Sequence, residues 1–212
     1  MRQGLSLGLL GGFRSLVADL LWLHANACWE RCDAVGTRAA LALVAAVDPR
    51  PVDFWLNGAR MIGYDMPVWR IAALGGDEAV PAGVRRRFSE EQALAAIAHL
   101  EKAFVYHPDD PRLHIEIANL QLQKLDDVVA AAESYRLAAR QPTAPFYAAR
   151  IHAELLRRLG REREALVWLV ALHPTLPQNN PYAMADTVLV RIRELEESLA
   201  LAPAARYQPG RE

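Results

Sequence analysis

Apolar positions recur every three to four residues along most of the chain, and the recurrence stops at Pro49, Pro108, Pro142 and Pro177. That period marks helices that bury one face. Alanine and leucine dominate and β-branched runs are few, which favours helix over strand. The spacing predicts helices over about 13–32, 34–47, 51–65, 89–107, 111–124, 127–140, 145–159, 162–173 and 181–201. The last of these, in a segment 179–202 that includes "RIRELEESL", carries Arg191, Arg193, Glu194, Glu196 and Glu197 on one wet face. A capping helix at the end of a helical stack needs such a face. Residues 203–212 read as a disordered tail.

The proline intervals are 59, 34 and 35 residues, and the first becomes regular once an insertion is removed at 63–88. A period of about 34 residues belongs to helix–turn–helix repeats. Small residues fall in register: Ala25, Ala59, Ala118 and Ala153 on the first helix of each pair, and Ala96, Ala130 and Ala165 on the second. Small side chains there let paired helices approach to about 8–10 Å between axes. Larger inward positions follow: Leu21, His24 and Cys28; Trp55, Gly58 and Ile62; His114, Ile117 and Gln121; Ala149, His152 and Leu156. Three positions depart from the pattern, Thr37 in the first unit and Gln121 and Ser134 in the third.

On these residues the chain resembles the tetratricopeptide repeat (TPR) family over roughly residues 13–178. The resemblance implies an all-α fold: a right-handed α-solenoid of about four TPR-like helix-turn-helix units plus the C-terminal capping helix. In that family the first helix of each unit lines a concave surface that binds a peptide or protein. It therefore implies a groove at Asn26, Arg60, Asn119 and Glu154, with Trp22, Trp29, Leu56, Ile115, Gln123, Arg150 and Arg157 one turn away. Trp and Arg are frequent interface anchors. Asn26, Arg60, Asn119 and Arg150 loosely resemble the clamp with which some members hold a peptide carboxylate.

The insertion, "GYDMPVWRIAALGGDEAVPAGVRRRF", has two readings. Long internal loops are often functional, which makes it a partner-binding flap with Trp69, Arg85, Arg86 and Arg87 as contacts. Alternatively, it lengthens a helix of the second unit, and the arginines flank the next helix.

Composition narrows the function. Apolar residues make up 52% of the 212, enough for a sizeable core. The net charge is −1, from 24 basic and 25 acidic residues, so nothing calls for nucleic acid. Cys28 and Cys32 lie four apart on one helix, where their side chains run parallel, a poor disulfide geometry. His24, Cys28 and Cys32 share that face and are of zinc-ligand type, but the outer two are about 12 Å apart along a helix, too far for one ion. Core packing is the better reading of His24 and Cys28, and no metal or cofactor is expected. His107 and His173 precede prolines and suit helix C-termini; Asp109–Asp110 and Asp126–Asp127 suit helix starts. No nucleophile–base motif stands out.

The first twelve residues include "GLSLGLLGG", an apolar segment too short to span a membrane at roughly 20 residues. "GGFRSLVADLLW" is similar to the lead-in of bacterial repeat proteins that follow a membrane anchor. The expectation is a non-catalytic interaction module, scaffold or assembly factor that binds another protein or peptide. The alternatives are a subunit of a membrane-associated complex docked through residues 1–12, and a small metal or redox protein using His24, Cys28 and Cys32. Location stays open between cytoplasmic and membrane-associated.

Overall fold

The computed structural model describes the backbone of residues 2–177 and 179–210, and side chains from residue 13 onward. Among the described residues the chain is helical throughout, with no strand. It forms two compact units, Met1–Pro108 and Asp109–Glu212, where the repeat pattern suggested one array over 13–178. The boundary falls at one of the helix-breaking prolines.

In the first unit, α1 (Arg2–Glu30) and α2 (Ala34–Val47) form an antiparallel pair. Cys32 takes a left-handed turn with φ 54°, and the Asp33 carboxylate caps α2 by accepting from the Gly36 N–H at 2.9 Å. At the other end, the Arg14 guanidinium donates to the Val47 carbonyl at 2.8 and 3.0 Å, and Ser15 Oγ donates to Asp48 at 3.0 Å. Ala18, Ala25 and Cys28 bury against Thr37, Ala40, Leu41 and Val44. Thr37 fits the core because its hydroxyl bonds back to the Asp33 carbonyl at 2.7 Å. His24, expected to point inward, is exposed. At 100° per residue it falls to the side of the buried Ala18–Ala25–Cys28 stripe.

The insertion is mostly helix. α3 (Val52–Arg60) runs into one wide π turn, Met61–Asp65, and on into α4 (Met66–Ala73). Pro67 sits in the first turn of α4, where its missing N–H costs least. The chain reverses at Gly75 and Gly76, both at positive φ, which an L side chain resists. Then α5 (Ala82–Ala103) begins with the arginine run. The stretch to Ala73 lengthens the helix, as the second reading has it, while Arg85, Arg86 and Arg87 lie inside α5 instead of flanking it. Ala59 packs with α5 in a core that includes Ala93, Ala96 and Leu100.

In the second unit, α6 (Pro111–Lys124), α7 (Val128–Ala139), α8 (Phe146–Arg158) and α9 (Glu162–Leu172) pack in chain order. Asp110 and Asp127 cap α6 and α7, each accepting a backbone N–H at 2.9 Å. Gly160, at φ 71°, ends α8 by letting the Arg161 N–H reach back to the Leu156 carbonyl at 2.9 Å. One core lies among α6, α7 and α8 around Ala118, Ala131 and Tyr135. A second lies among α8, α9 and α10 (Ala185–Ser198) around Ala153, Leu169 and Ile192. Ala165 and Ala118 are fully buried as expected, but α7 buries Ala131 and Ala132 more deeply than Ala130.

The end of the chain differs from the expected disordered tail. Residues Pro203–Ala205 form a 3-10 turn, and Tyr207 packs edge-on against His173 with a 3.0 Å hydrogen bond between its hydroxyl and Nδ1. The Tyr207 N–H donates to Glu196, which also accepts from Arg193 at 2.7 Å. Burial pushes the Glu196 carboxyl up, but these two hydrogen bonds outweigh it and hold it below its ordinary value. At the C-terminal end of α9, where it was expected, His173 thus makes a tertiary contact. His107 does likewise, with Nε2 3.1 Å from the Pro49 carbonyl, which also accepts from Trp55 Nε1 at 2.8 Å.

Candidate functional site

The second unit brings three of the expected groove residues together. Arg150, Glu154 and Arg157 lie four and three residues apart on α8, so one face carries all of them. Facing Arg150 and Glu154 across a cleft of about 310 Å³ are Thr187, Val188 and Arg191 of α10, with Tyr147 and Ile151 completing the walls. Glu154 accepts from Arg157 at 2.7 Å and stands 3.6 Å from Arg191. Arg150 is half-buried and donates to the carbonyls of Tyr182 and Ala183 at 3.1 and 2.9 Å, which fixes the turn leading into α10. Burial pushes its guanidinium below the ordinary value. The cleft therefore carries more guanidinium than carboxylate beside an apolar floor of Ile151 and Val188. Such a surface can hold a carboxylate next to a small apolar side chain.

The remaining α6 position is split. Asn119 accepts from the Tyr135 hydroxyl at 2.7 Å and holds α6 to α7, while Gln123 is exposed. Ile115 is buried in the core, as is Leu56 in the first unit.

In the first unit the aromatic residues pair with one another. Trp22 stacks on Phe54 at 5.0 Å, and Trp29 meets Trp69 edge-on at 6.4 Å. Trp29 Nε1 donates to Asp65 at 2.7 Å, which ties the end of α1 to the π turn. Asn26 is half-buried and Arg60 exposed at the end of α3. Arg85 pairs with Asp77 at 3.2 Å and Arg86 with Glu90 at 2.7 Å, while Arg87 is exposed. These contacts fasten the start of α5 to its own surroundings.

His24 Nε2 and Cys28 Sγ are 3.7 Å apart, and Cys32 is exposed in the left-handed turn past the helix end. Among the described residues, no group of three or more His, Cys, Asp or Glu is placed to hold a metal ion. No described helix is long and apolar enough to cross a membrane. The expectation for residues 1–12 falls outside the described side chains.

Sequence reasoning missed a second cleft. Between α7 and α9 lies a space of about 710 Å³ lined by Arg136, Arg140, Arg161, Arg163 and Trp168. Arg136 pairs with Glu133, and Arg161 pairs with Glu164 at 2.6 Å. His152 is buried at its base, with Nδ1 2.7 Å from the Ala132 carbonyl and its ring edge-on to Trp168. The signal was present in "REREA" and in the four-residue step from Arg136 to Arg140, both of which put arginines on exposed helix faces. Compared with known proteins, the chain matches no family model, and no curated protein matches it.

Proposed function

We propose that this chain is a non-catalytic interaction module, its helix pairs acting as TPR-like units of an α-solenoid, which holds a partner peptide or protein segment in the cleft between α8 and α10. The observation that carries the reading is the cleft itself. The first helix of the fourth pair, α8, and the final helix, α10, face each other with Arg150, Glu154 and Arg191 at their margins and apolar Ile151 and Val188 between. Packing in chain order within each unit supports it, as does the register of buried Ala25, Ala59, Ala118 and Ala153. The ligand chemistry that fits is a segment with a carboxylate, side-chain or terminal, next to a small apolar residue.

The test is selection from a random peptide library displayed on phage, with the full chain as bait. The expected result is enrichment of peptides with an acidic group beside an aliphatic one, lost with Arg191→Glu and with Tyr147→Ala. Equal selection by Arg191→Glu overturns the assignment of this cleft.

A further inference from the structure

From residue 13 onward, α1 buries one side and leaves an apolar stripe uncovered on the other. Ala18, Ala25 and Cys28 are buried against the rest of the first unit. On the opposite side Phe13, Leu16, Leu20 and Leu23 are 68, 54, 58 and 62% exposed. Their steps of three, four and three residues place them in a single stripe, continued by Ala27 and closed by Glu30. That alternation is the seam of a two-stranded coiled coil, with Phe13, Leu20 and Ala27 at one seam position and Leu16 and Leu23 at the other. An apolar face of this kind on a helix already folded by its own unit is an interaction surface.

We propose that α1 pairs along this stripe with α1 of a second copy of the chain, in parallel. Hydrogen-bonding complementarity selects both the occupant and the direction. The seam is flanked by exposed Asp19 on one side and exposed His24 on the other, five residues on. In a parallel pair, flanking positions five residues apart face each other across the seam. Asp19 of each copy then meets His24 of the other, twice, and the carboxylate accepts a hydrogen bond from the ring. An antiparallel pair would instead bring the two Asp19 carboxylates to the same side at nearly the same height, which is unfavourable. The area sets the strength. The four side chains expose roughly 400 Å² per copy, about 800 Å² for the pair, below the ~1,200 Å² where stable interfaces begin. The dimer is therefore weak and forms only as concentration rises.

Sedimentation equilibrium of the full chain between about 1 and 200 µM tests this. The expected result is a reversible monomer–dimer equilibrium in the wild type and a monomer throughout for Leu16→Lys with Leu20→Lys. Both positions are exposed, so the helical circular dichroism of that variant should match the wild type. Asp19→Arg should weaken dimerisation about tenfold, and Asp19→Arg with His24→Glu should restore it. A wild type that stays monomeric, or a double-lysine variant that dimerises equally well, overturns the proposal. Flotation of monomeric wild type with phosphatidylcholine vesicles, lost in the double-lysine variant, also overturns it and gives the stripe to a lipid surface.

Discussion

Ser134 of α7 donates a hydrogen bond of 2.8 Å to Gln121 of α6. These are the two residues of the third helix pair that break the apolar repeat pattern, and each supplies the partner that the other needs. Removing one leaves the other's polar group short of a partner, at about 1 kcal/mol, since Gln121 is only half-buried and water can reach it. Ser134→Ala should lower the unfolding free energy measured in urea by that amount. Gln121→Leu with Ser134→Ala should recover most of the loss, because two apolar groups of similar shape replace a satisfied pair. Additive losses in the two single variants and the double would show that the bond contributes nothing.

That pair shows what was legible and what was not. Each departure could be seen in the sequence, but that they meet is a tertiary fact separated by 13 residues and a turn. Helix starts at Asp110 and Asp127 were legible because capping is local chemistry. The π turn was not, because "GYDMPVW" contains Gly63 and Pro67, which normally interrupt helices; the wide turn accommodates them, and a helix continued through them was only one of the two readings. On α8, Arg150, Glu154 and Arg157 could be placed on one face from spacing alone. Tyr147, three residues before Arg150 on the same helix, was legible by the same spacing but was not read, while Arg191 could not be placed, since its position depends on how α10 packs. Trp22 and Trp29 were read as ligand contacts. The structure gives them Phe54, Asp65 and Trp69 as partners, as expected when large aromatic surface is available to join helices.

Asp48 links three parts of the first unit. Its buried carboxylate accepts two bonds from Arg50, at 2.7 and 2.8 Å, and one from Ser15 of α1. The Arg50 guanidinium is the main influence, and the Asp48 carboxyl is held down at about 2. A carboxyl lowered on folding stabilises the protein above its unfolded value near 3.8 and loses that contribution as pH falls towards 2. Because Arg50 is largely exposed, the contribution at neutral pH is about 1–2 kcal/mol after screening. Asp48→Asn should lose that much at pH 7 and flatten the acid limb of a stability–pH curve between pH 4 and 2. An unchanged acid limb would refute the assignment.

His99 of α5 behaves in the opposite range. Its ring lies 5.0 Å from Trp55, its Nε2 is buried without a hydrogen-bond partner, and burial, aided by Lys102, pushes its pKa down to about 4. The folded state keeps the ring neutral, while the unfolded chain takes up a proton at about 6.5. Stability should therefore fall as pH drops from 6.5 to 4, by up to about 3 kcal/mol. Imidazole titration by NMR should find one ring that resists protonation until about pH 4, and His99→Leu should abolish the drop. Gly58→Ala probes the same contact, because a Cβ there would meet His99 Nε2 at 3.0 Å and a Leu41 methyl at 3.2 Å. Its gain in helix propensity, about 1 kcal/mol, should be offset by that crowding, so no net stabilisation is expected.

Tyr207 anchors the last segment at three points. The hydroxyl reaches His173, the N–H reaches Glu196, and the carbonyl accepts from Arg193 at 2.8 Å. Tyr207→Phe removes only the first of these and should cost about 1 kcal/mol. Truncation after Ala202 removes all three and strips cover from the buried Glu196 carboxylate, leaving it with Arg193 alone; the expected loss is about 3 kcal/mol. Hydrogen exchange separates this from a general weakening. Amides of α10 and of the turn His173–Thr175 should exchange faster in the truncated chain, while those of α1 and α2 keep their wild-type rates. If α10 keeps its protection after truncation, the segment following Pro203 adds nothing to the second unit. The outcome also bears on the proposed binding cleft, since Arg191 stands on α10 two residues from Arg193, and a loosened α10 should lose the proposed peptide binding without any substitution in the residues that line the cleft.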